Sequence, residues 1–237
     1  MKHILEVCLV AVLAAEISPS IGAQSQTVAS HAMQKGISVQ LAIASNAVPM
    51  PDADQEYAMI VTITADGSIY LGVNPISPVA LTEKVKDRPS DRPEKKLYIK
   101  ADARTQYANV AKGLDAVRAA GVDAQNLLTA QSDSSEHGHL VSPRGLEVLV
   151  GPSLPSGTET TIVQVLNSGQ QRPTVKINGE LVPWASLRNQ LSQVLQNRSK
   201  TVALVKAEGT SSFADVAAVT DFCRAAGAQV VLVTPEL

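Results

Sequence analysis

The sequence is poor in aromatic residues, in cysteine and in excess charge, and each shortage excludes a class of protein. Aromatic residues make up 3% of the 237 residues, so a buried core must be built from Val, Leu, Ile and Ala. The two cysteines, Cys8 and Cys223, imply neither a disulfide framework nor a cysteine metal site. The formal net charge of -2 provides no electrostatic footprint for nucleic acid.

Motifs that carry catalysis or bind cofactors are also missing. The sequence has no glycine-rich phosphate loop, no nucleotide-binding fingerprint and no zinc-ligand spacing. His137 and His139 lie near Asp133 and Glu136, and an H-x-H pair can bind a metal ion. Because the repeat places no third ligand near them, we interpret them as solvated linker residues. Ser153 lacks the strand-to-helix context of a nucleophile. We therefore expect no enzymatic activity, no catalytic residue, no metal and no cofactor; a hydrolase with an unrecognised site is the weakest alternative.

Two acids, Asp102 and Glu208, follow equivalent predicted strands and resemble a carboxylate pair. However, they belong to different halves of the chain, and an acid between a strand and a helix commonly caps the helix. Lys100 and Lys206 are expected to be their solvated neighbours. All four residues are thus assigned structural roles.

The sequence does contain one internal repeat. The segment 96–102 and the helical run 106–120 match 202–208 and 212–226 without a gap, at a constant offset of 106 (100 and 206, for example). The identical pairs include Lys100/Lys206, Val110/Val216, Asp115/Asp221, Arg118/Arg224 and Gly121/Gly227. We interpret the chain as two copies of one unit, in which a strand leads into an amphipathic helix and then into another strand.

Each copy is predicted to have the order β, β-hairpin, α, β, α, β. Alternating residues predict a strand over 36–43, matched by 145–150 in the second copy. Asp66-Gly67 predicts a hairpin turn before a strand at Ile69–Leu71, and Asn178-Gly179 is assigned the corresponding place.

The first core helix is predicted from a single apolar stripe. Thr105 is the expected N-cap, and Gly121 is expected to close the helix in the left-handed conformation. The stripe consists of Tyr107, Val110, Ala111, Leu114 and Val117.

The resulting fold class is α+β, with two tandem two-layer domains, each a small mixed β-sheet covered on one face by two helices. The expected divisions are 1–23, a signal peptide or degenerate membrane anchor; 24–35, a tether; 36–132, the first domain; 133–144, a linker; and 145–237, the second domain. The signal-peptide interpretation places cleavage after Ala23.

Four sequence motifs of the first copy, taken in order, resemble those of a known family. The motifs are Gly36-Ile-Ser-Val-Gln-Leu41, Asp66-Gly-Ser-Ile-Tyr70, Leu97-Tyr-Ile-Lys-Ala-Asp102 and Tyr107-Ala-Asn-Val110. Together they are similar to the periplasmic domain of the ExbD/TolR family of biopolymer-transport proteins. The resemblance covers about residues 36–131 well and residues 145–237 more loosely, as a second copy.

This resemblance implies a non-enzymatic part of a bacterial envelope complex of the ExbB-ExbD-TonB or Tol-Pal type. The implied partners are an ExbB/TolQ-like channel protein and a TonB-like protein, and a homodimer is a further option. The implied location is the cell envelope, facing the periplasm, with residues 4–17 as an inner-membrane anchor if they are retained. On that interpretation Glu6 takes the family's proton-coupling position.

An open sheet also leaves edge strands with unpaired backbone groups that can accept an extended peptide. We expect this peptide-binding edge around Ile37, Val39 and Leu41, with the hairpin strand Ile69–Leu71 as a second candidate. The competing interpretation is a secreted interaction module of the same fold that takes no part in proton coupling.

Overall fold

The computed structural model describes residues 37–87, 96–130, 142–151, 160–196 and 201–234. The chain divides into two units, Met1–Ser30 and His31–Leu237, and all of the described residues belong to the second.

The first half contributes six strands and two helices to the described structure. They are β1 (Val48–Pro49), β2 (Met59–Ile63), β3 (Ile69–Leu71), β4 (Asn74–Pro75), α1 (Pro78–Lys86), β5 (Leu97–Ala101), α2 (Tyr107–Ala119) and β6 (Ala124–Thr129). A short 3-10 helix, Pro51–Asp54, follows β1.

The second half repeats this order of strands and helices. Its elements are β7 (Arg144–Gly151), β8 (Thr160–Leu166), β9 (Thr174–Ile177), β10 (Glu180–Val182), α3 (Trp184–Gln196), β11 (Val202–Ala207), α4 (Phe213–Ala225) and β12 (Gln229–Val233).

All twelve strands join one mixed sheet in the order β10-β9-β8-β11-β12-β7-β6-β5-β2-β3-β4, with β1 beside the start of β7. β2, β5 and β6 run parallel to one another, as do β7, β12, β11 and β8, and the two sets meet in antiparallel pairing between β6 and β7. A hairpin ends the sheet on each side. The predicted α+β class is confirmed. Because the halves share one sheet, their division into two domains stays a prediction.

One face of the sheet packs against the helices and contains the main apolar core. The predicted stripe of α2 is buried there, with Tyr107, Val110, Leu114 and Val117 at 0% exposure, as expected. Burying each such side chain contributes about 1.5–3 kcal/mol, so the stripe alone fixes α2 on the sheet. On the other face Met50 and the 3-10 helix cover a smaller cluster in the first half.

The turns follow the glycine signals, with one correction. Gly67 (φ 87°), Gly121 (φ 88°) and Gly179 (φ 92°) adopt left-handed conformations, as the turns and the helix end require. Asn178-Gly179 joins β9 to β10, however, so it does not correspond to Asp66-Gly67, which joins β2 to β3. Its counterpart is the turn Gly72-Val73, again at an offset of 106 (72 and 178).

The predicted strand over 36–43 is wrong for the described residues 37–43. Only Leu41 and Ile43 make isolated bridges, to Asp102 and Ala130. The predicted strand and β7 would need the same place in the sheet. In the second half β7 lies parallel beside β12, and the counterpart of β12 in the first half is β6. The place beside β6 is occupied by β7, which runs antiparallel to it. The N-terminal segment of the first copy therefore crosses the strand ends.

Candidate functional site: the repeat seam and the sheet edges

The two copies meet at the starts of α2 and α4, where equivalent residues bond reciprocally. The Tyr107 amide donates to the Ser211 carbonyl at 2.8 Å, and the equivalent Phe213 amide donates to the Thr105 carbonyl at 2.9 Å. One step along, the Ala108 and Ala214 amides donate to the Gly209 and Ala103 carbonyls at 3.0 and 2.9 Å. Each donor and acceptor differs from its counterpart by 106, so the copies are related by a local two-fold axis.

This arrangement corrects the predicted N-cap of α2. Gln106 is the N-cap residue and makes no side-chain capping bond, because carbonyls of the second copy accept the first amides of the helix. In α4 the Ser212 hydroxyl does cap, accepting from the Asp215 amide at 3.2 Å. The start of α2 thus depends on the other half of the chain.

The identical acids of the two core helices also connect the copies. Asp115 accepts a hydrogen bond of 2.6 Å from the Thr234 hydroxyl, just after β12. Asp221 accepts from the Ser45 and Asn46 amides, at 3.0 and 2.9 Å, in the segment that crosses from the first copy. Asp221 is only 2% exposed, so its charge is used inside the fold. The recurrence of these acids reflects assembly of the sheet.

Asp102 is likewise held by local contacts. Its carboxylate accepts from the Arg104 guanidinium at 2.8 and 2.9 Å, from the Arg104 amide, and from the Gln40 amide at 3.1 Å. The Arg104 side chain is the main reason that the pKa of Asp102 lies well below its usual range, with the two backbone amides adding to the effect. Glu208 accepts from the Asn167 amide at 2.9 Å within its own copy. Both acids serve as local anchors.

Lys100 is not the solvated neighbour expected from the sequence. It is 6% exposed, and burial lowers the pKa of its ammonium group. Lys206, its counterpart, is exposed as expected. Tyr98, two residues before Lys100 on the same face of β5, packs in one cluster with Met50 and Ala53.

A cavity of about 250 Å³ lies at the seam between β6, β7 and β12. Arg224 borders it and donates to the Glu147 carbonyl at 2.6 Å, while Gln125 donates to the Leu114 carbonyl at 2.9 Å. Each of these bonds joins two elements of the same copy. Among the described residues, no group of three His, Cys, Asp or Glu side chains is arranged to hold a metal ion.

The sheet edges are not where the sequence placed them. β3, the second predicted edge, is paired on both sides, by β2 and β4, so the outermost strands are β4 and β10. Ile37 and Val39 are half-buried outside any strand, and Leu41 bridges Asp102. Their role in peptide binding stays a prediction.

Several predicted residues lie outside the described part of the chain. They are Glu6, His137, His139 and Ser153. Within the described ranges, no helix combines the length and the apolar character needed to cross a membrane.

Sequence reasoning missed the full extent of the repeat. The offset of 106 also relates β3 to β9, β4 to β10 and the starts of α1 and α3 (78 and 184). The signal that would have revealed it is the turn after the third strand of each half, at Gly72-Val73 and Asn178-Gly179.

Fold and seam define a class: an α+β protein made of two copies of one unit, whose recurring polar residues hold the copies together. The chain belongs to the ExbD/TolR family, because the family model described as biopolymer transport protein ExbD/TolR matches residues 26–132 and again residues 139–236. Proteins of this family are non-enzymatic, energy-transducing components of biopolymer transport in the cell envelope, and they generally work with ExbB/TolQ-like and TonB/TolA-like partners. No curated protein matches the chain.

Proposed function

We propose that this chain binds protein partners in the periplasm as a non-enzymatic component of an ExbB-ExbD-TonB or Tol-Pal type complex. The family match over both halves, residues 26–132 and 139–236, is the observation that carries this proposal. A channel protein of the ExbB/TolQ type and a TonB-like protein are the proposed partners.

The chemistry of the described residues supports a binding role. The acids that recur between the copies, Asp115 and Asp221, are both engaged in hydrogen bonds between elements of the fold. Asp102 is bound by Arg104 and Gln40. None of these carboxylates is left to act as a general base, so the sheet edges are the better candidates for function.

The N-terminal segment decides how the protein is attached to the envelope. In one form, residues 4–17 anchor the protein in the inner membrane and Glu6 faces the channel partner as its proton-coupling group. In the other form the chain is cleaved after Ala23 and begins at Gln24, which leaves the folded part in the periplasm without proton coupling.

Mass spectrometry of the chain from membrane and periplasmic fractions distinguishes these forms. The anchored form predicts an intact N-terminus in the membrane fraction, together with co-purification of an ExbB/TolQ-like channel. That co-purification should be lost or weakened in Glu6→Gln, whereas a conservative Val10→Leu control should retain it. A start at Gln24 in the periplasmic fraction, with no envelope partner enriched, contradicts the transport assignment and favours the secreted interaction module.

A further inference from the structure

The two outermost strands occupy equivalent places but differ at one position. β4 and β10 are related by the offset of 106, so Pro75 in β4 corresponds to Leu181 in β10. Pro75 faces Tyr70 of β3, and Leu181 faces Lys176 of β9. The backbone at this position decides whether the sheet can be extended.

Hairpin geometry directs the backbone groups of Leu181 away from the sheet. Asn178 (φ 51°) and Gly179 (φ 92°) form a two-residue turn closed by Ile177 and Glu180. A closing pair exchanges hydrogen bonds with itself, so the next pair, Lys176 and Leu181, does not. The amide and carbonyl of Leu181 are thus free to bond to a further strand.

The same position in the other edge is blocked. Pro75 has no amide hydrogen, so β4 lacks the outward donor that β10 has at Leu181. Proline on an edge strand is a common protection against pairing with another chain. Only β10, of the two edges in the described sheet, presents both a donor and an acceptor there, and the Leu181 side chain is 67% exposed.

Aromatic and cationic side chains lie beside this open edge. Trp184 begins α3 directly after β10, and the Arg172 guanidinium lies 5.1 Å from the centre of its ring. The Trp184 and Phe222 rings are 5.9 Å apart, and Arg188 lies 5.4 Å from the Phe222 ring. Half-buried Trp flanked by Arg is the composition of binding hot spots, and it is conspicuous in a chain with a single Trp.

The charge around β10 is positive. Arg172 and Arg188 are exposed, and Lys176 lies across from Leu181. Among the described residues, none of these three cations forms an ion pair, and Glu180 is the only acid in β9, β10 or α3. An incoming segment that carries carboxylates therefore gains attraction on binding and meets little repulsion.

We propose that β10 is the docking edge for an extended, acidic peptide segment of a partner protein. The segment bonds to the Leu181 backbone and directs its carboxylates toward Arg172 and Lys176. This inference rests on the proposed function and names the site of partner binding. Pro183 ends the strand, so the edge offers few backbone bonds, which suits a peptide rather than the large interface of a stable dimer.

Trp184 is the only tryptophan and provides a built-in reporter. Its fluorescence is followed while the full chain is titrated with the blocked hexapeptide Glu-Val-Glu-Val-Glu-Val, and with the same peptide carrying Lys in place of Glu. The acidic probe should change the Trp184 emission until the change saturates. Its binding should become weaker as salt is added. The Lys probe should bind at least about 5-fold more weakly.

Two variants of Leu181 distinguish the contribution of its backbone amide to peptide binding from that of its side chain. Leu181→Pro removes the outward amide donor, which Pro75 already lacks in β4. This variant should bind the acidic probe about 3- to 10-fold more weakly. Leu181→Ala keeps the amide and should stay within about 3-fold of the parent chain. Lys176→Gln should weaken the acidic probe and leave the Lys probe unchanged or improved. Circular dichroism verifies that each variant is folded.

Equal binding of the probe to the parent chain and to folded Leu181→Pro overturns the β10 site. If Leu181→Pro fails to fold, a probe N-methylated at alternate residues lacks the amide hydrogens that the proposal has donated to the Leu181 carbonyl. Unchanged binding of that probe equally overturns the β10 site. A concentration-dependent dimer that Leu181→Pro abolishes would assign the edge to a second copy instead. Each of these failures leaves the proposed function standing, because co-purification of the channel partner tests it separately.

Discussion

At the scale of single residues, buried charges act as fasteners. Asp102 has a side chain only 3% exposed and accepts hydrogen bonds from both Arg104 and the Gln40 amide. Through Gln40 it holds the N-terminal segment against the end of β5. Because these donors favour the ionised form, the folded state lowers the pKa of Asp102 and gains stability from its charge.

Asp102→Asn should therefore be less stable than the parent chain at pH 7, by about 1–2 kcal/mol, since exposed Arg104 is screened by solvent. A lowered folded pKa gives stability that is present above the unfolded value of about 4 and is lost as the pH falls through the folded pKa. The difference between the two chains should thus shrink between pH 5 and pH 2 or so. Urea unfolding across this range measures it. A difference independent of pH would contradict the role of the charge.

Cys223 is fully buried in α4, and burial raises the pKa of its thiol to about 12. In a Cys8→Ser background, we expect no reaction of the native chain with a thiol reagent over minutes at pH 8. Reaction should become fast in urea, when the thiol is exposed. Rapid labelling of the native chain would show that α4 opens or packs differently.

At the scale of elements, local signals predicted the helices well because their evidence lies within the element itself. The stripe of α2 and the glycine after it, Gly121, fix both the buried face and the end of the helix. The strand expected over 36–43 failed because its place in the sheet depends on another strand. β7 takes the position beside β6, and no local pattern can report that competition.

Two turn glycines provide a matched test of element packing. Both have positive φ, so alanine costs about 1–2 kcal/mol of strain in each. A Cβ at Gly67 would also lie 2.5 Å from the Asn109 side chain, whereas one at Gly72 meets nothing within 4 Å. Because the half-buried Asn109 side chain can turn aside in part, Gly67→Ala should lower the free energy of unfolding by about 1 kcal/mol more than Gly72→Ala. Equal losses in thermal or urea unfolding would show that α2 does not press on this turn.

At the scale of the whole molecule, the sequence predicted the duplication but not the single sheet. The repeat could be found because identical residues recur at a fixed offset in one predicted strand and in the helix that follows it. Each helix start is closed by the other copy through contacts more than 90 residues apart in sequence, as between Tyr107 and Ser211. The pairing of β6 with β7 joins the two copies, and no pattern within either copy reports it. The proposed docking edge has the same limit: an open sheet predicts that some edge is free, but only the strand order shows that β10 is outermost.

The central claim is that the two copies form one cooperative body around the local two-fold axis. The test uses the chain that carries Leu114→Ala in the first copy. Its unfolding in urea is monitored by the fluorescence of Trp184, which reports on the second copy. Removing this buried side chain costs about 2–5 kcal/mol, and we expect the Trp184 transition to move to lower urea by the full amount, coincident with the loss of helical circular dichroism. A Trp184 transition that stays where it is in the parent chain, while part of the helical signal is lost earlier, would contradict the account.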